Sequence, residues 1–191
     1  MAELSQADKK YLLALARETI RKHLAPGERG AGVAPPSGSS SVLLDKRGVF
    51  VTLHRGGELR GCIGYPLPLK PLWEAVQEMA LAAAFDDPRF PAVAADELAG
   101  LDIEISVLTV PQKVAGPDRV RVGVDGIIVS KGLQRGLLLP QVPAEQGWDL
   151  EQYISYGCRK AGLPADEWRR GVQIETFQAV VFGEKRQPED A

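Results

Sequence analysis

Apolar positions recur at helical spacing in three stretches and at strand spacing in several others. Tyr11, Leu12, Leu15, Ala16, Ile20 and Leu24 predict a helix over about Gln6–Leu24. Ser5-Gln6-Ala7-Asp8 opens it as a capping box with aspartate in place of glutamate, and Pro26-Gly27 ends it. Leu72, Trp73, Val76, Met79, Ala80 and Ala83 predict a second helix over 71–85, and residues 150–161 a third, stopped by Gly162 and Pro164. The cleanest period of two lies at 101–110, where Ile103, Ile105 and Val107 would face a core and Asp102, Glu104 and Ser106 the other side. Val49 to Leu53 and Leu59 to Gly64 flank Arg55-Gly56-Gly57-Glu58 and read as a β-hairpin.

Weaker strand signals follow at 119–124, 126–130 and 136–139, and a longer one at 172–182. Short helical turns are expected at 96–98 and 166–170. A Pro/Gly/Ser connector occupies 31–41, and two prolines forbid helix across 86–91. The strands arrive as hairpins rather than as βαβ units. The expected class is therefore α+β, mainly antiparallel sheets flanked by helices, with a larger and a smaller subdomain sharing one core. The span 5–183 reads as one domain and 184–191 as a polar tail.

Composition narrows the function classes more than the fold. The chain has 191 residues, is 45% hydrophobic and carries a net charge of −2, so nothing in its bulk charge draws it to nucleic acid or an anionic membrane. Its two cysteines lie far apart and form no CxxC, which points to a reducing compartment. No secretory pattern opens the chain and no run approaches a membrane span, so a cytoplasmic location is expected. Two histidines and two cysteines without ligand spacing, and no phosphate-binding glycine motif, leave no metal or other cofactor expected.

The candidate chemistry centres on Leu59-Arg60-Gly61-Cys62-Ile63-Gly64. Alternation puts Arg60, Cys62 and Gly64 on one strand face, and glycines in a strand mark a bulge or a close approach to the backbone. A guanidinium near a thiol favours the thiolate, so Cys62 is a candidate nucleophile with His54 on the paired strand as a nearby base. A small core residue is the competing reading. Hairpin register separates them. A two-residue turn pairs Val51 with Cys62 and tends to bury the sulfur. A turn one residue longer brings His54 near Arg60 and Thr52 near Cys62. Arg60 and Arg89 can bind an anionic substrate group or form ion pairs with Asp86, Asp87 or Glu104. Glu104 is a candidate general base, or part of a solvated strand face. Gln141, after Pro140 at a strand end, is a candidate for orienting substrate. Cys158 with Lys160 near the end of the third helix reads as structural.

The same hexapeptide resembles the signature of the AMME chromosomal region family, the AMMECR-one domain. Ala84-Phe85-Asp86-Asp87-Pro88-Arg89-Phe90-Pro91 is similar to that family's second block and Ile103-Glu104-Ile105-Ser106-Val107-Leu108 to its central strand. Gly136-Leu137-Leu138-Leu139-Pro140-Gln141-Val142 and Cys158-Arg159-Lys160-Ala161-Gly162-Leu163 resemble the blocks that follow. The resemblance implies an α+β fold of two subdomains. It also implies a bacterial or archaeal system whose other members are a Memo-like protein and a radical SAM protein. An action on an RNA base or a small metabolite is implied by that association alone.

Overall fold

The computed structural model describes residues 4–25, 35 and 38–184. The connector reading at 31–41 falls largely outside the described residues, as do the helix stop at Pro26-Gly27 and the tail beyond residue 184. In chain order the elements are α1 (Gln6–Leu24), β1 (Val49–Arg55), β2 (Glu58–Tyr65), α2 (Leu72–Leu81), β3 (Leu101–Leu108), β4 (Gln112–Lys113), β5 (Gly126–Lys131), β6 (Gln134–Leu138), α3 (Val142–Gln146), α4 (Leu150–Lys160), β7 (Gln173–Phe177) and β8 (Ala179–Gly183). The α+β class with antiparallel sheets is observed. Two compact units account for the described residues: those to Leu108 together with those from Val180, and Thr109–Ala179. The buried residues likewise fall into two clusters, one in each unit.

The first unit is a four-stranded sheet in the order β2-β1-β3-β8. Helices α1 and α2 pack over one face of it. Val49, Val51 and Leu53 of β1 and Ile103, Ile105 and Val107 of β3 are almost wholly buried beneath them. Burying such side chains is worth about 1.5–3 kcal/mol each. The capping box predicted for α1 forms, Ser5 and Asp8 each bonding the other's backbone N–H. The Arg17 guanidinium ties α1 to the carbonyls of Leu98 and Leu101 and to Glu184, whose carboxylate also takes the Ile103 N–H. α2 gives way to a single π turn at Ala82–Asp86 before Pro88.

The second unit is a sheet in the order β4-β7-β5-β6 with α4 against it. Tyr153 of α4 is fully buried. Its hydroxyl sits among the carbonyls of Asp125, Leu138 and Leu139 at 3.1–3.3 Å, and burial pushes it well above the ordinary phenol range. Two expectations change here. Residues 119–124 form no strand: a short 3-10 turn at Pro117–Arg119 runs into a tight loop held by Asp125, which accepts the Arg121 N–H and guanidinium. The single strand expected over 172–182 is two, β7 and β8, in different sheets. Gln178 breaks it, bonding Thr109 and Asp125 instead of continuing a ladder. A helix the pattern did not predict, α3, begins with Pro143 in its first turn and ends at Gly147 with φ 65°.

Candidate functional site

The hairpin of β1 and β2 decides where Cys62 points. Gly56 and Gly57 adopt φ of 63° and 90°, so the turn keeps two residues and pairs Arg55 with Glu58 and His54 with Leu59. The extra residue enters after the turn. Leu53 pairs with Gly61, so Arg60 is a β-bulge. From there Thr52 stands opposite Cys62 rather than Val51. The sulfur therefore leaves the helix-covered face for the other one, where Cys62 is half-buried and the Thr52 hydroxyl donates to it at 3.3 Å. Thr52 is in turn opposite Glu104 on β3. Cys62, Thr52 and Glu104 thus form one row across three strands. His54 lies in the next row, between Leu59 and Asp102.

Apart from the exposed Leu59, the rest of the hexapeptide is taken up by packing and ion pairing. A Cβ on Gly61 would lie 2.1 Å from the Ala83 carbonyl oxygen, which the π turn brings against β2. One on Gly64 would meet the Val49 carbonyl at 2.3 Å and the Phe50 ring at 2.4 Å. Ile63 packs on the core. The Arg60 guanidinium makes a two-pronged ion pair with Glu97 at 3.0 and 2.9 Å and donates to the Pro91 carbonyl at 2.9 Å. Glu97 also accepts from Arg55 and from the Ala94 N–H. The Arg60 guanidinium, first among these, holds the Glu97 carboxyl down to about 2.

β2 is an edge strand, and its exposed backbone is capped at Cys62 itself. The Cys62 N–H donates to Asp87 at 2.9 Å, and its carbonyl accepts from Arg89 at 3.2 Å. Asp87 and Arg89 are joined at 2.7 and 3.0 Å, so the pair supplies one donor and one acceptor where a neighbouring strand would. The Asp87 side chain is 2% exposed, and the Arg89 guanidinium holds its carboxyl far below the ordinary range.

Of the six residues expected at a site, His54, Arg60, Cys62, Arg89 and Glu104 belong to the first unit. Gln141 belongs to the second, exposed at the start of α3. Thr52 and Asp87 complete the contacts of Cys62, and Glu97 those of Arg60. The longer hairpin register points to Thr52 from the sequence. Asp87 and Glu97 are brought in by a π turn and a 3-10 turn with no periodic signature. Cys158 is fully buried on α4, where burial raises its thiol. Among the described residues no three His, Cys, Asp or Glu side chains gather to hold a metal ion, and no helix is long and apolar enough to cross a membrane.

The AMMECR1 family model matches residues 13–182. The chain belongs to the AMMECR1 family. It is similar to a Methanothermobacter thermautotrophicus protein, 46% identical over 96% of this chain and 97% of that one. It is also similar to a Thermococcus onnurineus protein, 45% identical over 92% and 90%. The crystal structure of PH0010, an uncharacterised protein from Pyrococcus horikoshii, aligns with a TM-score of 0.75 and 44% identity over 93% of this chain and 91% of that one. Within this AMMECR1 chain, the arrangement around Cys62 combines a partly exposed thiol, a hydroxyl on its sulfur and a carboxylate in the same row.

Proposed function

We propose that the sheet face opposite the helices of the first unit is a thiol-based active site, with Cys62 as nucleophile and Glu104 as general base. One observation carries this reading: the Cys62 sulfur. Arg60, Gly61, Ile63, Gly64 and the Cys62 backbone all have packing or ion-pair roles, while the sulfur turns to the outer face and meets a hydroxyl. Arg89 borders the site beside the Cys62 carbonyl, its side chain 54% exposed. There it would contact substrate, with His54 one row away. Arg60 acts through Glu97 to hold the bulge. Gln141 belongs to the second unit and is given no role in this site. The substrate we infer is an RNA base or a small metabolite with an electrophilic carbon, handled in the cytoplasm alongside a Memo-like protein and a radical SAM protein.

A second reading is favoured by the clamp on Cys62. A backbone fixed on both sides suits a module that holds a substrate or partner for those two proteins without reacting. Comparing RNA nucleosides and metabolites from cells with the gene intact, deleted, or carrying Cys62→Ser separates the two. If Cys62→Ser reproduces the changes caused by deletion, the site is catalytic. If deletion changes them and Cys62→Ser does not, the binding reading stands and the nucleophile is discarded.

A further inference from the structure

We propose that Thr52 is a proton relay between Cys62 and Glu104. The proposal rests on the reading of Cys62 as nucleophile and Glu104 as base, and it adds the residue that joins them. Cys62 and Glu104 flank Thr52 from β2 and β3. Directly opposed side chains have Cβ atoms about 4.5–5.5 Å apart, which places the Cys62 and Glu104 Cβ atoms roughly 10 Å apart. Direct proton transfer needs about 2.6–3.2 Å between the reacting atoms, and the side chain that stands between the two on the middle strand is placed to bridge them. It carries a hydroxyl, 3.3 Å from the sulfur. In the structure this hydroxyl donates to the sulfur; in the relay it rotates, accepting from the S–H and donating its own proton towards Glu104. Valine at this position would have the same shape and an equal liking for a strand, yet could carry no proton.

The step balances without a further reactant. As the sulfur bonds to the electrophilic carbon, its S–H bond breaks and the proton passes to the Thr52 oxygen. Thr52's own proton moves to the Glu104 carboxylate, directly or through one water. The sulfur's electron pair enters the new S–C bond, and the displaced pair settles on the substrate. Thr52 ends neutral and Glu104 protonated. The titratable and charged groups around the row are His54 on β1, Asp102 and Glu104 on β3, and Asp87 and Arg89 from the loop. Asp87 and Arg89 are bound to each other and to the Cys62 backbone.

The test is the pH dependence of Cys62 labelling by iodoacetamide in the intact protein. A thiol that must ionise first slows tenfold for each pH unit below its midpoint. One whose proton leaves through a relay levels off. Wild type is expected to level off between pH 5 and 7. Thr52→Val should restore the tenfold slope and label at least tenfold more slowly at pH 5, with an unchanged melting temperature. Thr52→Ser should return to within twofold of wild type. Glu104→Gln should lose the plateau too, and add nothing in the Thr52→Val background. The relay is overturned if Thr52→Val keeps the plateau, if Glu104→Gln acts equally without Thr52, or if His54→Gln reproduces the loss. A wild-type Cys62 that does not label at any pH removes the nucleophile itself and the relay with it. A Cys62 that labels without a plateau removes the relay alone.

Discussion

The molecule has two cysteines beside glycines, Cys62 in the first unit and Cys158 in the second, and structure treats them oppositely. Gly157 precedes Cys158 as Gly61 precedes Cys62, and both glycines are there for packing. A Cβ on Gly157 would meet Val129 Cγ2 at 2.8 Å and Ile127 Cδ1 at 3.0 Å, while one on Gly61 would meet a backbone oxygen at 2.1 Å. Yet Cys158 is sealed among Val129, Tyr153 and Ile154, and Cys62 is half-buried on the sheet face away from the helices. A glycine next to a cysteine therefore says that something packs closely, without saying that the sulfur is available. What separates the two is the surface on which each sulfur emerges.

The largest expected difference between these regions lies in their glycines. Gly61→Ala should cost about 3 kcal/mol in urea unfolding, because the Ala83 carbonyl is held by the π turn and cannot step aside. Gly157→Ala should cost about 1 kcal/mol, since the obstructing atoms are the ends of side chains that can turn. Equal costs would break the comparison. Next, Asp87→Ala should cost about 2 kcal/mol by leaving the Cys62 N–H without its charged acceptor, and faster hydrogen exchange at that amide would localise the loss.

Acid should weaken the same clamp. Arg89 lowers the Asp87 carboxyl, and Arg60 lowers that of Glu97 to about 2. Carboxylates depressed in the folded state contribute stability in full above their unfolded values near 4, and that contribution fades as pH falls toward the folded ones. The melting temperature should fall between pH 6 and pH 3, and Asp87→Asn with Glu97→Gln should flatten that fall. A residual slope should remain from the second unit, where Arg121 lowers Asp125. The smallest effects concern the sulfurs. Cys158→Ser should cost about 1–2 kcal/mol by burying a hydroxyl in an apolar cluster. Cys62→Ser should stay within about 0.5 kcal/mol. Native iodoacetamide labelling should reach Cys62 and spare Cys158, and the reverse order would undo the contrast.

Several residues of the site were legible as candidates, and Asp87 as an ion-pair partner among them, while most of the bonds that place them were not. Arg60 and Arg89 read equally as substrate contacts or ion-pair partners. Their carboxylates, Glu97 and Asp87, come from a 3-10 turn and from the residue after a π turn, neither of which has a sequence period. The glycines point to a bulge or a close approach to the backbone. What approaches is the Ala83 carbonyl at Gly61 and the Phe50 ring at Gly64. Thr52 beside Cys62 is legible in the longer register, while its pairing with Glu104 comes only from the sheet.

Sequence by itself determined the elements whose signals are local. These are α1 with its Ser5–Asp8 box, the Gly56-Gly57 turn that demands positive φ, and the apolar alternation of β3. Each depends on residues within a turn or two of one another, so spacing alone carries it. Tertiary structure decided the rest. The bulge at Arg60 is set by where Glu97 and the Ala83 carbonyl lie, and the break at Gln178 by Thr109 and Asp125. A strand's side chains alternate with a period of two, so one inserted residue reverses which face the next ones meet. That single residue puts the Cys62 sulfur beside Thr52 rather than in the core.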